Sequence, residues 1–564
     1  MVVNNIFEKK ISGFIAIGLF IITSIVVAGP TSDPVNVSKL AALGLFSFGM
    51  IPFMINKFSE NYKSNIFKNS FNIVLAFNAI MFLVVLFSKS PKSQNIYGMY
   101  GRNTGLITFI AFSIILISIM MFKERKSLER ILAAFFLAGL VNVIYGLVEN
   151  FIGDPIPWNN NYGALLGTFG NPDFAGAFYG LYSGMLLAYI LNGKLSFRNR
   201  SIAAIIFSLS LICVYWTDTT QGILVALISI SLVALNYLHF RFKNIYLSGG
   251  LMSLMSLGFA SILLGIFQKG PFSEFLYKRS VSLRGVYWDA AFQTGKENLF
   301  FGVGLDSFGD WYRRTRSLKG ATWLPGPDTI TNVAHNYYLD IFASGGILLL
   351  CSYVGISLIG LHSSIKILRK ANSFDPLATT LIALFIAFQA QAFISIPHIG
   401  LAIWGWVLIG MLFSYSRISD ISKEATPKIV KKITQELNQP FGVLISIAAA
   451  VGFLVAIPPY SADARWTGAL NSRDLNKLER ALEPSYLNPI NSSKLANAVI
   501  ILEQSKLPDK ALKYARIGVK FNPDNFDAWK LLYYVSMSTA EEKIDSKKNM
   551  IRLDPLNKNL EKLK

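Results

Sequence analysis

One short stretch, NVAHNYYLDIFASGGILLL at 332–350, places polar side chains at the start of a long apolar run. His335 is one of only four histidines in the chain, and imidazole exchanges protons near pH 7. Asn336 suits the N-terminus of a helix, whereas a histidine at that place is unusual. The stretch therefore predicts either a polar helix cap or a histidine held at the membrane surface as general base or hydrogen-bond donor. In the second case, Asn336 and Asp340 would support the histidine.

Two arginines form a second candidate group. Arg284 opens LRGVYWDAAFQTGKENLFFGVGLDSFGDWYRR (283–314), where Arg284, Trp288 and Ala291 share one face of a predicted helix. Arg102 lies in YGRNTGLITF, at the mouth of a predicted span. Guanidinium groups match phosphate oxygens in two-pronged fashion, so two converging arginines would clamp a pyrophosphate. Anchoring at the membrane interface is the alternative role for each.

The segment around Arg284 is basic. Residues 268–334 hold nine Lys and Arg against six Asp and Glu, which favours an anionic ligand. Arg279, Arg313 and Arg314 are therefore further candidates for binding pyrophosphate or the substrate attached to it. His398, in ISIPHIG, either shares this cavity or terminates a span. The sequence contains no metal-ligand spacing, phosphate-binding glycine loop or dinucleotide fingerprint, and we expect no cofactor and no metal site.

The elements that must position these residues are membrane helices. Hydrophobic residues make up 52% of the 564-residue chain and charged residues only 15%, whereas soluble proteins carry about a quarter. Apolar runs long enough to cross a bilayer recur along it. We predict an all-α polytopic bundle with about thirteen spans: 11–28, 37–56, 70–88, 103–122, 128–150, 172–192, 201–216, 220–238, 246–267, 335–363, 377–395, 400–416 and 440–458. Cys213 and Cys351 lie inside these runs and predict no disulfide.

The distribution of lysine and arginine predicts the orientation. The N-terminus and the loops on its side hold 22 of these residues, and the short loops on the other side hold three. The positive-inside rule places the N-terminus in the cytoplasm, and an odd number of spans places the tail outside. The formal charge of +20 is thus a topology signal and requires no nucleic-acid partner. We predict a membrane domain at 1–458, which contains the external loop 268–334, and an external domain at 459–564.

The tail has a repeat. LNPIN, FNPDN and LDPLN place Pro489, Pro523 and Pro555 at intervals of 34 and 32 residues. This period resembles tetratricopeptide repeats, which stack helix pairs into a solenoid. The functional interpretation is a docking surface for a protein or glycan partner, and the alternative is a small helical domain that caps the membrane part.

Together these motifs resemble the O-antigen ligase and polymerase superfamily. The resemblance rests on Arg284 with Trp288, on FGVGLDSF, and on AHNYYLDIFASGGILLL, and YGRNTGL and GTFGNPDFAG match two further family segments. It covers about residues 70–420. Two positions depart from the family pattern: Gln221 stands where arginine is frequent, and Asp173 where asparagine is usual.

The resemblance implies a bacterial cytoplasmic-membrane enzyme that transfers a glycan from an undecaprenyl pyrophosphate carrier to an acceptor hydroxyl on a lipid, glycan or protein. The implied mechanism is an inverting displacement without metal, with His335 and Arg284 catalytic and Arg102 on the pyrophosphate. Protein O-oligosaccharyltransferases belong to the same group. The alternatives are a polymerase of the superfamily, a transporter or flippase of lipid-linked glycans, and a non-catalytic scaffold.

Overall fold

The protein is built from helices, as a chain in hydrocarbon must satisfy its backbone groups internally. The computed structural model describes residues 6–157, 160–266, 269–270, 273, 283–322, 326–424 and 439–563. Within these ranges there is no β-strand, only an isolated bridge between Ser485 and Asn488. The membrane part contains the helices Ile6–Ser24, Asn36–Phe48, Ile51–Tyr62, Asn65–Phe87, Lys92–Tyr97, Leu106–Met120, Arg125–Phe151, Pro172–Ile190, Phe197–Trp216, Thr220–Phe242, Ile245–Ile266, Arg284–Glu297, Phe308–Thr315, Leu318–Thr322, Tyr337–Lys370, Pro376–Ala392, Ile399–Glu424 and Gln439–Ala456.

The predicted polytopic helical architecture is confirmed, and a helix overlaps each of the thirteen predicted spans. Six described helices are long and apolar enough to cross a membrane by themselves. The number rises to eight if two bent pairs each count as one span: Asn36–Phe48 with Ile51–Tyr62, and Pro440–Ala456 with Pro458–Ser472. By length and composition, the described residues therefore support six to eight complete spans, against the thirteen predicted. Leu106–Met120 and Pro376–Ala392 are apolar but shorter.

The helix Ile399–Glu424 lies at the centre of the bundle. In the apolar stretch of this helix, 94% of the residues are buried inside the protein. The helix packs against Leu106–Met120, Pro376–Ala392 and Tyr337–Lys370. Trp404 and Trp406 are among its fully buried side chains. By contrast, only 22% of the residues in the apolar stretch of Phe197–Trp216 are buried, so this helix presents apolar side chains outward to lipid.

The predicted tenth span, 335–363, needs a correction at its start. The helix runs from Tyr337 to Lys370, so His335 precedes it and does not align with Leu339 and Phe342 on a helical face. The helix is also broken at Gly346, whose φ is 73°. At this break, the Ile347 amide donates to the Leu299 carbonyl at 2.7 Å, and the Val303 amide donates to the Ala343 carbonyl at 3.0 Å. A turn of the external loop is thus inserted into the span.

The tail contains the helices Pro458–Ser472, Leu475–Leu482, Ser492–Gln504, Pro508–Phe521, Phe526–Tyr534 and Ala540–Leu553. The three repeated motifs play one structural role, because the last asparagine of each caps the helix that follows: Asn491, Asn525 and Asn557. Most of the tail has its own hydrophobic core, which includes Trp466, Leu502 and Ala515. The helix pairing agrees with a repeat, while the tetratricopeptide identity stays a prediction.

The tail packs on the loops that were predicted to be external. The Ser93 hydroxyl donates to the Ile490 carbonyl at 2.9 Å, and the Asp33 amide donates to Asp463 Oδ2 at 2.8 Å. Asp310 of the loop 268–334 accepts hydrogen bonds from Asn522 and Asn525 at 3.0 and 2.8 Å. The loops that the distribution of lysine and arginine places outside therefore lie on the same face of the bundle as the tail.

Candidate active site

His335 lies in the turn that leads into the broken span. Its φ is 51°, in the left-handed region, where histidine is more common than most residues. The next residue, Asn336, caps the helix, and its Oδ1 accepts from the amides of Tyr338 and Leu339 at 3.1 Å each. The cap role proposed for Asn336 is therefore present in the structure, and it sets the direction in which the chain leaves His335.

The other predicted supporting residues hold the same turn. Asp340 Oδ1 accepts from the Ala334 amide at 3.2 Å, and Trp288 Nε1 donates to the His335 carbonyl at 3.3 Å. The ring of His335 stacks on Tyr287 with centroids 5.8 Å apart. Asn336, Asp340 and Trp288 thus fix the backbone around His335, whereas the imidazole packs on an aromatic ring that the sequence analysis did not select.

The positive charges of Arg284 and Arg102 both act on the side chain of His335. The Arg284 side chain is buried, with 7% of the residue exposed, and this burial lowers its pKa. Burial also lowers the pKa of His335 to about 3, and the positive charges of Arg284 and Arg102 lower it further in the same direction. Both cations therefore act on the imidazole, which is neutral near pH 7 with a lone pair available.

Arg102 sits on a tightly held loop. Asp306 Oδ2 accepts from the Met99 amide at 2.7 Å and from the Thr104 hydroxyl at 3.1 Å, and Asn36 Nδ2 donates to the Gly101 carbonyl at 2.9 Å. Nη1 of Arg102 is buried and has no hydrogen-bond partner among the described residues. A buried guanidinium nitrogen without a partner is costly, and an anionic ligand would satisfy it.

Asp306 is a residue of this site that the sequence analysis did not name. It lies in the quoted segment FGVGLDSF, and it joins the external loop to the Arg102 loop. Its φ of 54° places it in the left-handed region as well. An aspartate between two glycine-rich turns could have indicated this position in the sequence, because aspartate tolerates the left-handed conformation better than most residues.

The two departures from the family pattern are neighbours in space. Gln221 Nε2 donates to the Asp173 carbonyl at 3.2 Å, and the charge of Asp173 acts on Arg284 and opposes the lowering of its pKa. Asn171 caps the helix Pro172–Ile190, accepting from the Asp173 amide at 2.9 Å. The segment GTFGNPDFAG therefore borders the site.

The remaining predicted arginines lie elsewhere. Arg279 lies outside the described residues. Arg314 pairs with Asp524 at 2.7 Å, and Arg313 with Asp554 at 3.2 Å, both in the tail. Their guanidinium groups hold the external loop on the tail. They are not part of the cluster around His335.

His398 was predicted either to share the cavity of the site or to terminate a span. His398 directly precedes the helix Ile399–Glu424 and stacks on Phe174 with centroids 4.7 Å apart, so it packs against GTFGNPDFAG. Among the residues that the structure describes, no group of three or more His, Cys, Asp or Glu side chains could hold a metal ion.

The fold and the site define a class of protein: a polytopic membrane protein in which two arginines and one histidine meet at the mouth of the bundle, beneath a helical tail. Residues 205–354 match the family model described as O-antigen ligase. This match confirms the resemblance to the O-antigen ligase superfamily over the stretch that holds Arg284 and His335, and it supports a glycosyltransferase-like activity in general. A search of curated proteins finds no match.

Proposed function

We propose that the protein transfers a glycan from an undecaprenyl pyrophosphate carrier to an acceptor hydroxyl at the external face of a bacterial cytoplasmic membrane. The observation that carries this proposal is the convergence of the Arg284 and Arg102 charges on a half-buried, neutral His335. A neutral base beside two fixed cations suits a reaction in which a hydroxyl loses a proton while an anionic group departs.

In the proposed reaction, His335 takes the proton from the acceptor hydroxyl. The hydroxyl oxygen forms a bond to the anomeric carbon as the bond from that carbon to the phosphate oxygen breaks, with inversion. Undecaprenyl pyrophosphate leaves with the electron pair, and Arg284 and Arg102 balance its charge. The bound pyrophosphate would also offset the two cations that depress the pKa of His335, so the histidine becomes a stronger base once the donor is in place.

The position of the charged groups favours an enzyme over a transporter. Transporters place functional polar groups near the middle of the bilayer. Here His335 lies in the turn before a helix and Arg284 is the first residue of another helix, both on the face that carries the tail. We assign this face to the outside, with the N-terminus in the cytoplasm, because of the excess of lysine and arginine in the opposite loops.

The test is transfer by the purified full-length protein from a defined undecaprenyl pyrophosphate-linked glycan, without ATP. We expect His335→Ala and Arg284→Ala to lose at least about 100-fold in kcat/KM, as when one group that stabilises the developing charge is removed. His362→Ala and Arg314→Ala are matched controls, because His362 is exposed near the other end of the same helix and Arg314 binds Asp524. Equal rates in all four variants would overturn the assignment of the site.

The product distinguishes a ligase from a polymerase. A polymerase joins two carrier-linked glycans, so the product is a longer glycan still on its carrier. A ligase or oligosaccharyltransferase places the glycan on a lipid or protein that was never linked to the carrier. Mass spectrometry of the product formed with each acceptor separates these outcomes.

A further inference from the structure

A cleft with a mixed polar and apolar lining lies between the membrane part and the tail. Its volume is about 320 Å³, and three separate parts of the chain line it. The loop before Leu106–Met120 contributes Tyr97, Tyr100 and Asn103, and the external loop contributes Asn332. The tail contributes residues of the helix Ser492–Gln504, including Asn497. We call this the tail cleft.

The tail cleft begins beside the reactive centre. Asn103 follows Arg102 directly in the chain, and Asn332 precedes His335 by three residues. A chain-like molecule whose end is held at Arg102 would therefore continue naturally into the cleft. None of the residues that line it has a role in the proposed proton transfer.

The charges in the cleft are mostly engaged by the protein itself. Asp310 accepts from Asn522 and Asn525, Lys494 pairs with Asp463 at 3.5 Å, and Arg313 pairs with Asp554. The fourth charged lining residue, Asp527, is exposed. Apart from Asp527, the polar groups that the cleft offers a ligand are mainly amides and hydroxyls, beside tyrosine rings and apolar side chains. This chemistry suits an uncharged polar molecule, since a few placed polar groups and aromatic faces give orientation and specificity.

One polar atom at the cleft has no internal partner. Asn103 is 2% exposed, and its Oδ1 accepts no hydrogen bond from any described residue. Its backbone is held in place, because φ is 59° and its carbonyl accepts from the Thr108 hydroxyl at 2.5 Å. A buried amide oxygen without a partner carries a desolvation penalty, and a ligand hydroxyl would remove that penalty. Nearby, the Tyr100 hydroxyl donates to Asp463 at 2.8 Å, which fixes the orientation of its ring.

We infer that the tail cleft binds neutral sugar residues of the glycan that reacts at His335. The inference rests on the proposed function, and it adds the substrate class that the tail helps to recognise. The sugars belong either to the donor glycan or to a glycan acceptor, and the two sources share the same chemistry.

Binding without chemistry tests the inference. The probes are the oligosaccharide released by mild acid from the carrier-linked donor, the free glycan acceptor, and undecaprenyl pyrophosphate without sugar. Saturation-transfer NMR and calorimetry with the full-length protein measure their affinities. We expect at least one sugar probe to bind, and the probe that binds identifies the source.

A matched pair of variants locates the binding. Asn497→Trp places a large ring on the cleft wall, while Gln504→Trp makes the same change at an exposed amide at the end of the same helix, outside the cleft. We expect the first variant to weaken sugar binding at least tenfold and the second to leave it unchanged, with binding of the sugar-free carrier equal in both. A second pair is Tyr97→Ala in the cleft and Tyr534→Ala outside it.

The results separate this inference from the proposed function. If neither sugar probe binds the wild type, or if the cleft variants bind like their controls, the cleft assignment is wrong even when transfer depends on His335. If sugar binds in the cleft but no transfer from the carrier occurs, the cleft assignment survives and the proposed function fails. His335→Ala should retain full sugar binding, because the histidine is outside the cleft.

Discussion

Protonation of His335 gives the sharpest test of the proposed chemistry. Burial first, and then the charges of Arg284 and Arg102, lowers its pKa from 6.5 to about 3. At about 1.4 kcal/mol for each pKa unit, this fall corresponds to on the order of 5 kcal/mol against protonation. A base that is already neutral loses activity only when the pH falls toward its own pKa. We therefore expect no histidine limb in the pH profile of the free enzyme between about pH 5 and 8.

The perturbation is the removal of one cation. Arg284→Ala removes a positive charge that lowers the pKa of His335, so the pKa must rise and activity must begin to fall at a higher pH. Arg284→Lys keeps the charge but not the two-pronged guanidinium, so it should keep the wild-type pH profile at a reduced rate. The assay is kcat/KM for glycan transfer from about pH 8 down to about pH 3, so that the range reaches the lowered pKa of His335.

Two results would refute this reasoning. One is a wild-type acid limb near the ordinary histidine pKa of 6.5 that disappears in His335→Gln, because the imidazole would then be as basic as in water. The other is an identical pH profile for Arg284→Ala and Arg284→Lys, because the charge of Arg284 would then have no influence on His335.

Three further predictions concern the frame around the site. Asp554→Ala leaves Arg316, whose side chain is fully buried against it at 2.6 Å, without its partner, and should destabilise the docked tail by about 3–5 kcal/mol; limited proteolysis of the tail and thermal unfolding measure this. Gly346→Ala should impair folding and activity, because φ is 73° and a Cβ would lie 2.5 Å from the Leu299 carbonyl oxygen, whereas Gly468→Ala, with open space around it, should be tolerated in the same unfolding assay. Asn336→Ala should cost about 1 kcal/mol by loss of the helix cap, with Asn336→Asp close to the wild type in thermal stability.

Local signals in the sequence predicted much of the fold. Apolar runs of sufficient length predicted the positions of the helices, and the asparagines of the repeated motifs became helix caps. Asn336 also caps a helix, as its type suggested. These features depend on residues within a few positions of one another, where periodicity and capping preferences operate.

What the sequence could not predict depends on distant contacts. Arg313 and Arg314 looked like ligands of an anionic substrate, because their partners Asp554 and Asp524 lie 241 and 210 residues away. The break at Gly346 was equally hidden, since the run that contains it is apolar on both sides. Only the inserted turn of the external loop, with its backbone hydrogen bonds to Ala343 and Ile347, shows why the span is interrupted there.

The same contacts explain why the reactive residues come together at all. Arg284 and His335 are 51 positions apart in one segment, and Arg102 belongs to another. Asp306 links the external loop to the Arg102 loop, and Trp288 links the Arg284 helix to the His335 carbonyl. The contacts of these two residues therefore help to fix how Arg102, Arg284 and His335 are placed relative to one another. Since catalysis by fixed charges depends on their placement before the substrate arrives, Asp306 should matter for the rate although its described contacts are with the protein itself.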